Sequence, residues 1–336
     1  MIKIVLDCFG GDHSPDANIE GAVKALNEEK DLTIILTGDE KIISEKLKGY
    51  SYDKERLSIV HAPEVIGCNE APTLSVFHKK ESSLVKALDI LRTDSSVGGL
   101  VSLGSSGALL VGAVVKVGKI EGVHRPGFCP ILPTMNHDIV ALCDSGASAD
   151  CTSDELLQFA LMGSLYLQKA YNKPSPRVAL LKVGTEEEKG DNLRKETYPL
   201  LKNEKQINFV GNMESRDFLS GKYDLVVSDG FSGNVLLKAT EGTALEMLKL
   251  LKKTLLGSFK AKIGALFLKK DIYQLKNFMD YSNYGGAVML GLKKTVVKGH
   301  GSSKGTSVYH CLIQAYTMEK NKLCDAIEKA ISSPKA

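Results

Sequence analysis

The chain has 336 residues, of which 43% are hydrophobic, and a formal net charge of +3. That length allows one large α/β domain or two modest ones, and the composition supports a real core. The near balance of charge excludes bulk nucleic-acid binding, and no window approaches the ~18 uncharged apolar residues of a membrane span.

Seven cysteines (Cys8, Cys68, Cys129, Cys143, Cys151, Cys311, Cys324) are scattered without a CxxC pair. They point to free thiols in a reducing cytosol, with no disulfide framework and no metal site. The opening residues enter a strand at once and carry no signal-type apolar run. Ile2–Leu6 reads as a buried strand. It leads into Asp7-Cys8-Phe9-Gly10-Gly11-Asp12-His13-Ser14-Pro15, where paired glycines permit a tight turn or a close approach to a ligand. Ala17–Leu26 has helical spacing, Leu32–Thr37 is a strand, Lys41–Leu47 a helix and Leu57–His61 a third strand. This alternation predicts a parallel sheet with helices on both faces. His78–Ser83 sets two lysines and two serines before an apolar helix, Leu84–Leu91. They either meet an anion or form a solvated helix start capped by serine.

Gly99–Ser102 is a strand that enters Leu103-Gly104-Ser105-Ser106-Gly107. The pattern Ser102-x-Gly104-x-Ser106-Gly107-x-x-Leu110 returns as Ser228-x-Gly230-x-Ser232-Gly233-x-x-Leu236, after the apolar run Leu225–Val227. Both lead into apolar helices, the second from Val235 onward. Such turns leave backbone N–H groups free at a positive helix end, which suits a phosphate or an oxyanion. The repeat places two anion cradles at one carboxyl edge of one sheet, where open α/β sheets bind ligands.

Between the two turns, 124–133 reads as a proline-punctuated loop and Asp138–Cys143 as a strand. Asp144 and Asp150 read as caps or metal ligands; no third ligand stands at a suitable spacing, which favours caps. Leu156–Tyr171 is helical and Arg177–Val183 a strand. Gly184–Asp191 is a polar loop with Lys189 beyond three glutamates, followed by a helix (Leu193–Leu201) and a strand (Ile207–Gly211). Leu245–Phe278 is one long helical region or a helical hairpin. Phe259, Ile263 and Phe267 share a face there, among Lys252, Lys253, Lys260, Lys262, Lys269 and Lys270. This suits a membrane surface or an acidic partner, or equally a dimer or core helix with snorkelling lysines. Tyr281–Gly286 is a turn leading into a glycine-containing helix. Thr295–Val297 is a strand, and Lys298-Gly299-His300-Gly301-Ser302-Ser303 precedes a helix (Val308–Tyr316). His300 reads as an acid/base, an anion donor or an ordinary loop histidine.

No G-x-x-x-x-G-K-[ST], no H-E-x-x-H, no G-x-G-x-x-G at the first strand turn and no G-x-S-x-G is present. P-loop, zincin, standard dinucleotide and nucleophile-elbow chemistry are thereby excluded. Gly/Ser/Asn turns at strand ends, with lysine and histidine, remain. They point to transfer of an acyl or phosphoryl group in which the substrate supplies the nucleophile.

Five stretches together resemble the bacterial acyl-ACP:phosphate acyltransferase family of phospholipid synthesis: Asp7–Pro15, Leu181–Gly190, Ser228–Gly242, Tyr281–Gly291 and Gly299–Ser303. The resemblance runs over about residues 1–320. It implies transfer of a fatty acyl group from acyl carrier protein to inorganic phosphate, without a cofactor, giving acyl phosphate. It also implies a Rossmann-like three-layer α/β sandwich similar to phosphotransacetylase and isocitrate dehydrogenase. On that basis residues 1–336 are expected to form a single catalytic domain, with a protruding helical hairpin inserted at about 243–280. A homodimer, peripheral attachment to the inner face of the plasma membrane from the cytoplasm, and contact with a downstream membrane glycerol-3-phosphate acyltransferase are implied as well.

The family's catalytic lysine and asparagine fall on Lys189 and Asn234, with His300 ranked below them. Its membrane face falls on Phe259, Ile263, Gly264 and Phe267. Substrate and phosphate contacts are expected from Asp7, Gly10, Gly11, Asp12 and His13, and from Gly104, Ser105, Ser106 and Gly107. Asp229, Gly230, Ser232 and Gly233 are expected to contribute, as are Gly301, Ser302 and Ser303. The family's arginines before its Lys-Lys pair are replaced here by Phe77 and His78. An acyl-CoA:phosphate transferase of the phosphotransacetylase type and a non-catalytic fatty acid or phosphate binder remain as alternatives.

Overall fold

The computed structural model describes residues 1–279 and 281–332; the last residue of the expected hairpin, Asp280, and the tail 333–336 lie outside them. In chain order the elements begin β1 (Ile2–Asp7), α1 (Asp16–Glu28), β2 (Leu32–Gly38), α2 (Glu40–Leu47), β3 (Leu57–His61), α3 (Pro72–His78), α4 (Ser83–Thr93), β4 (Val97–Ser102) and α5 (Ser106–Gly112). There follow β5 (Gly127–Cys129), β6 (Ile131–Pro133), β7 (Ile139–Cys143), α6 (Ser153–Tyr171), β8 (Arg177–Lys182), α7 (Asn192–Asn203), β9 (Asn208–Glu214) and β10 (Leu225–Val227). The chain continues with α8 (Gly230–Leu256), α9 (Phe259–Phe267), α10 (Lys269–Met279), β11 (Ala287–Leu290), β12 (Thr295–Lys298), α11 (Gly305–Lys320) and α12 (Leu323–Ser332).

Two sheets form. One has the order β3-β2-β1-β4-β12-β11-β5, the other β6-β7-β10-β8-β9. The first five strands of the larger sheet are parallel. β11 is antiparallel to both of its neighbours. In the smaller sheet only β6 is antiparallel.

Alternation along each strand divides the core. Ile4 and Leu6 of β1 join the cluster built with α1 and α11, whereas Val5 faces α4 through the cluster of Leu84, Val85 and Leu88. Leu225 and Val227 of β10 belong to the same cluster as Ile4 and Leu6, joined through α6, while Val226 turns to Leu236 and Leu237. One apolar layer of helices therefore lies between the two sheets, and the mixed α/β architecture is the sandwich expected. No described helix is long and apolar enough to cross a membrane.

Four expectations need correction. The two Gly/Ser turns do not share a sheet: β4 lies in the larger one and β10 in the smaller. The 124–133 loop contains β5, between Pro126 and Pro130, and β6, whose ladder includes Pro133. Residues after Gly286 form a strand, β11, rather than a helix, because they pair with both β12 and β5. The helix after β10 starts at Gly230, so Gly230–Asn234 is its first part and not a loop. The stretch 245–278 is divided among the end of that helix (α8), α9 and α10.

Candidate functional site

A cleft of about 300 Å³ opens where the carboxyl ends of the two sheets face each other. Its polar lining includes Ser106 after β4, Ser145 after β7, Asn234 and Lys238 on α8, and Lys298 and His300 at the end of β12. Phe128, Pro130, Ile131, Leu132 and Leu237 form an apolar wall.

The loop after β7 organises one side. Asp144 is fully buried and accepts hydrogen bonds from the amides of Phe128, Gly146, Ala147 and Ser148 at 2.7–3.1 Å. It is a loop cap. Burial raises its pKa, against those amides.

The start of α8 packs onto this loop. A Cβ on Gly233 would stand 1.9 Å from the Asp144 carbonyl oxygen, and one on Gly230 2.5 Å from the Asp144 carboxylate. The Gly230 amide donates to the Ser148 carbonyl at 2.8 Å, the Ser232 amide to the Asp229 carboxylate at 2.9 Å, and the Gly233 amide to the Asp229 carbonyl at 2.9 Å. Those three amides are thus engaged within the protein. The cleft receives instead the side chain of Asn234, beside Gly146.

Asp229 also pairs with Arg194, which bonds Ser232 Oγ at 2.9 Å and Asp191 at 2.8 Å. Burial pushes the Asp229 carboxyl up, but the Ser232 amide and the Arg194 charge outweigh it and hold it below its usual value. Through Asp191 this network reaches the loop 184–190. That loop is held from beneath by Lys182 Nζ on the Glu187 carbonyl, 2.7 Å, and Asn212 on the Thr185 carbonyl, 3.1 Å. Lys189 itself is exposed, paired with Glu186 at 2.6 Å, and does not line the cleft.

On the other side, Ser102 Oγ donates to Asp7 at 2.7 Å and accepts from the Gly104 amide at 3.2 Å. Burial raises the Asp7 pKa. Ser105 caps α5 through the Ala108 amide, and Gly107 packs on Pro72. Gly10 and Gly11 let the segment after β1 lie against Gly104, Leu103 and Gly301; Gly11 has φ +96°. The Asp12 amide donates to the Gly301 carbonyl at 2.8 Å, and His13 is exposed. Asp7, Gly10, Gly11, Asp12 and His13 thus back the turns and do not line the cleft. The Ser302 amide and hydroxyl both face His300 Nδ1, at 3.2 and 2.8 Å. A ring nitrogen that accepts from an amide leaves the ring proton on Nε2. Partial burial lowers the His300 pKa, which favours that neutral form. The Ser303 amide closes the turn onto the His300 carbonyl at 3.1 Å.

The cleft therefore gathers Ser106, Asn234 and His300 from the expected set. Sequence reasoning missed Ser145, Gly146, Lys238, Glu241 and Lys298; the lysine after a strand in Thr-Val-Val-Lys was the one available signal. At His78–Ser83 the structural alternative holds: Ser82 caps α4 and Lys79 pairs with Glu70. Far from the cleft, Phe259, Ile263 and Phe267 are 79%, 46% and 81% exposed, and Gly264 faces open space.

The profile of the family described as "Fatty acid synthesis protein" matches residues 2–326. The chain is 40% identical to a phosphate acyltransferase of Clostridioides difficile, over 98% of this chain and 96% of that protein. It is 44% identical to a phosphate acyltransferase of Bacillus pumilus, over 99% of this chain and 96% of that one. The fold is similar to the solved structure of a phosphotransacetylase from Streptococcus pyogenes, with a TM-score of 0.60 at 15% identity, covering 95% of this chain and 94% of that one.

Proposed function

This chain belongs to the fatty acid synthesis protein family and is an acyltransferase acting on phosphate, and from that premise we propose that its donor is acyl carrier protein and its product a fatty acyl phosphate for phosphatidic acid synthesis. One observation carries the reading: the same cleft joins an apolar wall to a polar end bearing Asn234, Lys298 and His300. An acyl thioester needs the first and a phosphate dianion the second.

Phosphate attacks the thioester carbonyl, and the carrier's thiolate leaves. Phosphate is already ionised near neutrality, so positioning and charge stabilisation are the main tasks. Asn234 donates to the developing oxyanion. Lys189 neutralises the attacking phosphate, which requires its loop to release Glu186 and turn toward the cleft. His300 donates through Nε2.

Residues 1–336 act as one catalytic domain, as a homodimer. The bare Phe259, Ile263 and Phe267 face, with Gly264, supports peripheral contact with the cytoplasmic membrane face, where a membrane glycerol-3-phosphate acyltransferase takes up the product. Thiol release is the test, with acyl carrier protein or acyl-CoA as donor, with and without phosphate. Phosphate-dependent release from the carrier donor is expected. A preference for acyl-CoA would reject the carrier as donor, and release indifferent to phosphate would reject the transfer. Liposome flotation that survives Phe259→Glu with Phe267→Glu would reject the membrane contact.

A further inference from the structure

We propose that Lys298 is a catalytic residue of the cleft, its ammonium holding inorganic phosphate against the acyl carbonyl. The inference rests on the acyl-transfer reading above and assigns a phosphate ligand within that site.

Three lysines deserve comparison. Lys189 lies outside the cleft lining and is paired with Glu186 at 2.6 Å. Lys238 lines the cleft but is paired with Glu241 at 2.8 Å. Lys298 lines the cleft and is half-buried, and its Nζ meets the carbonyl oxygens of Leu103, at 3.4 Å, and Gly299. Among the described residues no carboxylate forms an ion pair with it. Two carbonyl dipoles do not balance a full charge held partly out of water. Burial accordingly pulls its pKa down to about 8. An incoming dianion would supply the missing charge, and Asn234 and His300 stand around the same space.

The step balances without a further reactant. A phosphate oxygen bonds to the carbonyl carbon, the C–S bond breaks, and its electron pair leaves on the thiolate. The proton of hydrogen phosphate ends on the thiol, directly or through water. Lys298 keeps its proton throughout and lowers the repulsion between phosphate and oxyanion.

The groups around Lys298 are Asp7 at the end of β1, Lys238 and Glu241 on α8, Cys311 on α11, Cys68 in the loop before α3, and its neighbour His300. The Cys311 thiol is pushed up to about 12 by burial and stays neutral. Cys68 is exposed, so Cys68→Ser serves as the control for the alkaline limb.

The experiment uses the full chain with Lys298→Met and Lys298→Arg. Losing a charged donor to the reacting groups lowers kcat/KM for phosphate by about 100-fold or more in the methionine variant, with the donor KM unchanged. The arginine variant recovers most of the loss. Wild-type activity falls above about pH 8, the value to which burial brings Lys298, and the arginine variant holds its activity there. A wild-type phosphate KM in the methionine variant overturns the proposal. So does an effect on the donor KM alone, which would assign Lys298 to the phosphodiester of the carrier's prosthetic arm. Equilibrium dialysis with labelled inorganic phosphate reads the same contact without turnover: at least about tenfold weaker binding is expected in the methionine variant, and equal binding overturns it. A wild-type protein that binds phosphate yet releases no thiol would count against acyl transfer, and dialysis would still decide Lys298.

Discussion

The turn after β4 and the turn after β10 carry the same Ser-x-Gly-x-Ser-Gly pattern, yet their polar atoms face different partners. In the first, Ser102 leans on Asp7, a buried carboxyl held above its usual pKa. In the second, the carboxyl belongs to the turn itself: Asp229 caps α8, faces Arg194 and is held below its usual value. The cleft takes Ser106 from the first turn, whereas the equivalent Ser232 bonds Arg194. It takes Asn234 from the second, where the equivalent residue is the buried Ala108. The shared pattern is therefore a packing device that brings a helix start close to a neighbouring strand end. Chemistry depends on which single side chain each copy turns toward the cleft.

Substitutions in each turn should separate the two. The largest effect is expected at Asp229→Ala, which leaves the Arg194 guanidinium buried and opposed only by Asp191. Breaking a buried pair in this way costs about 3–5 kcal/mol, whereas Ser105→Ala removes only the cap of α5 and costs about 1 kcal/mol. Chemical denaturation of both variants measures the difference. Next, Asn234→Ala should lower kcat/KM for phosphate-dependent thiol release by the ~2.7–4 kcal/mol typical of a lost oxyanion donor, while Ser106→Ala changes it by less than about tenfold, roughly one hydrogen bond. Equal losses would make the turns functional equivalents after all.

A smaller effect is expected from added methyl groups. Gly233→Ala meets the Asp144 carbonyl, a backbone atom that cannot swing away, whereas Gly107→Ala meets the edge of the Pro72 ring at 2.7 Å. Overpacking costs about 1–3 kcal/mol, with Gly233→Ala near the top of that range and Gly107→Ala near the bottom, read from melting temperatures.

The last contrast is one of sign. The ionised Asp229 stabilises the fold above the ordinary carboxylate range, and that stability is lost as pH falls through its lowered pKa. Asp229→Asn should therefore cost most at neutral pH and progressively less below about pH 4. Asp7 has a raised pKa, so ionising it costs stability as pH rises through the ordinary value toward the raised one. Relative to wild type, Asp7→Asn should fare better at neutral pH than below about pH 4. Melting curves across pH for the two variants should slope in opposite directions, and parallel slopes would remove the electrostatic distinction between the turns.

Much of the fold was legible because buried parallel strands announce themselves as short apolar runs. β1, β2 and β10 fall within a residue of where their sequences place them. The failures have physical causes. Ala287–Leu290 is a four-residue apolar run that periodicity cannot assign, and only pairing with β5 and β12 makes it a strand. β5 and β6 are three residues each, β5 between Pro126 and Pro130 and β6 ending on Pro133, and proline reads as a loop breaker. Two strands with one pattern read as one sheet, since nothing local distinguishes a second sheet.

In the site, His300 was visible because glycines flank it, and Asn234 because the family resemblance places the catalytic asparagine there. Lys298 was not, because a lysine that closes a strand looks like ordinary solvent-facing charge. Its ammonium meets the carbonyls of its neighbour Gly299 and of Leu103, and the chain brings Leu103 to it only in three dimensions. The amides of Gly230, Ser232 and Gly233 were read as free because the partner of the first, Ser148 in the loop after β7, lies some 80 positions away in the sequence, and the other two are taken up by Asp229 only once it caps the helix.

α8 runs unbroken for 27 residues from the edge of the cleft. Between Asn234 and Leu256 it spans ~33 Å at ~1.5 Å per residue. It is a ruler, graduated in turns, that sets how far the apolar tip at Phe259 and Phe267 stands from the reacting groups. Deleting or adding about four residues in its exposed stretch would move the tip by roughly 6 Å while keeping its facing almost unchanged. The height at which product emerges above any surface that the tip touches is thus written in helix length, independently of the residues that perform the chemistry.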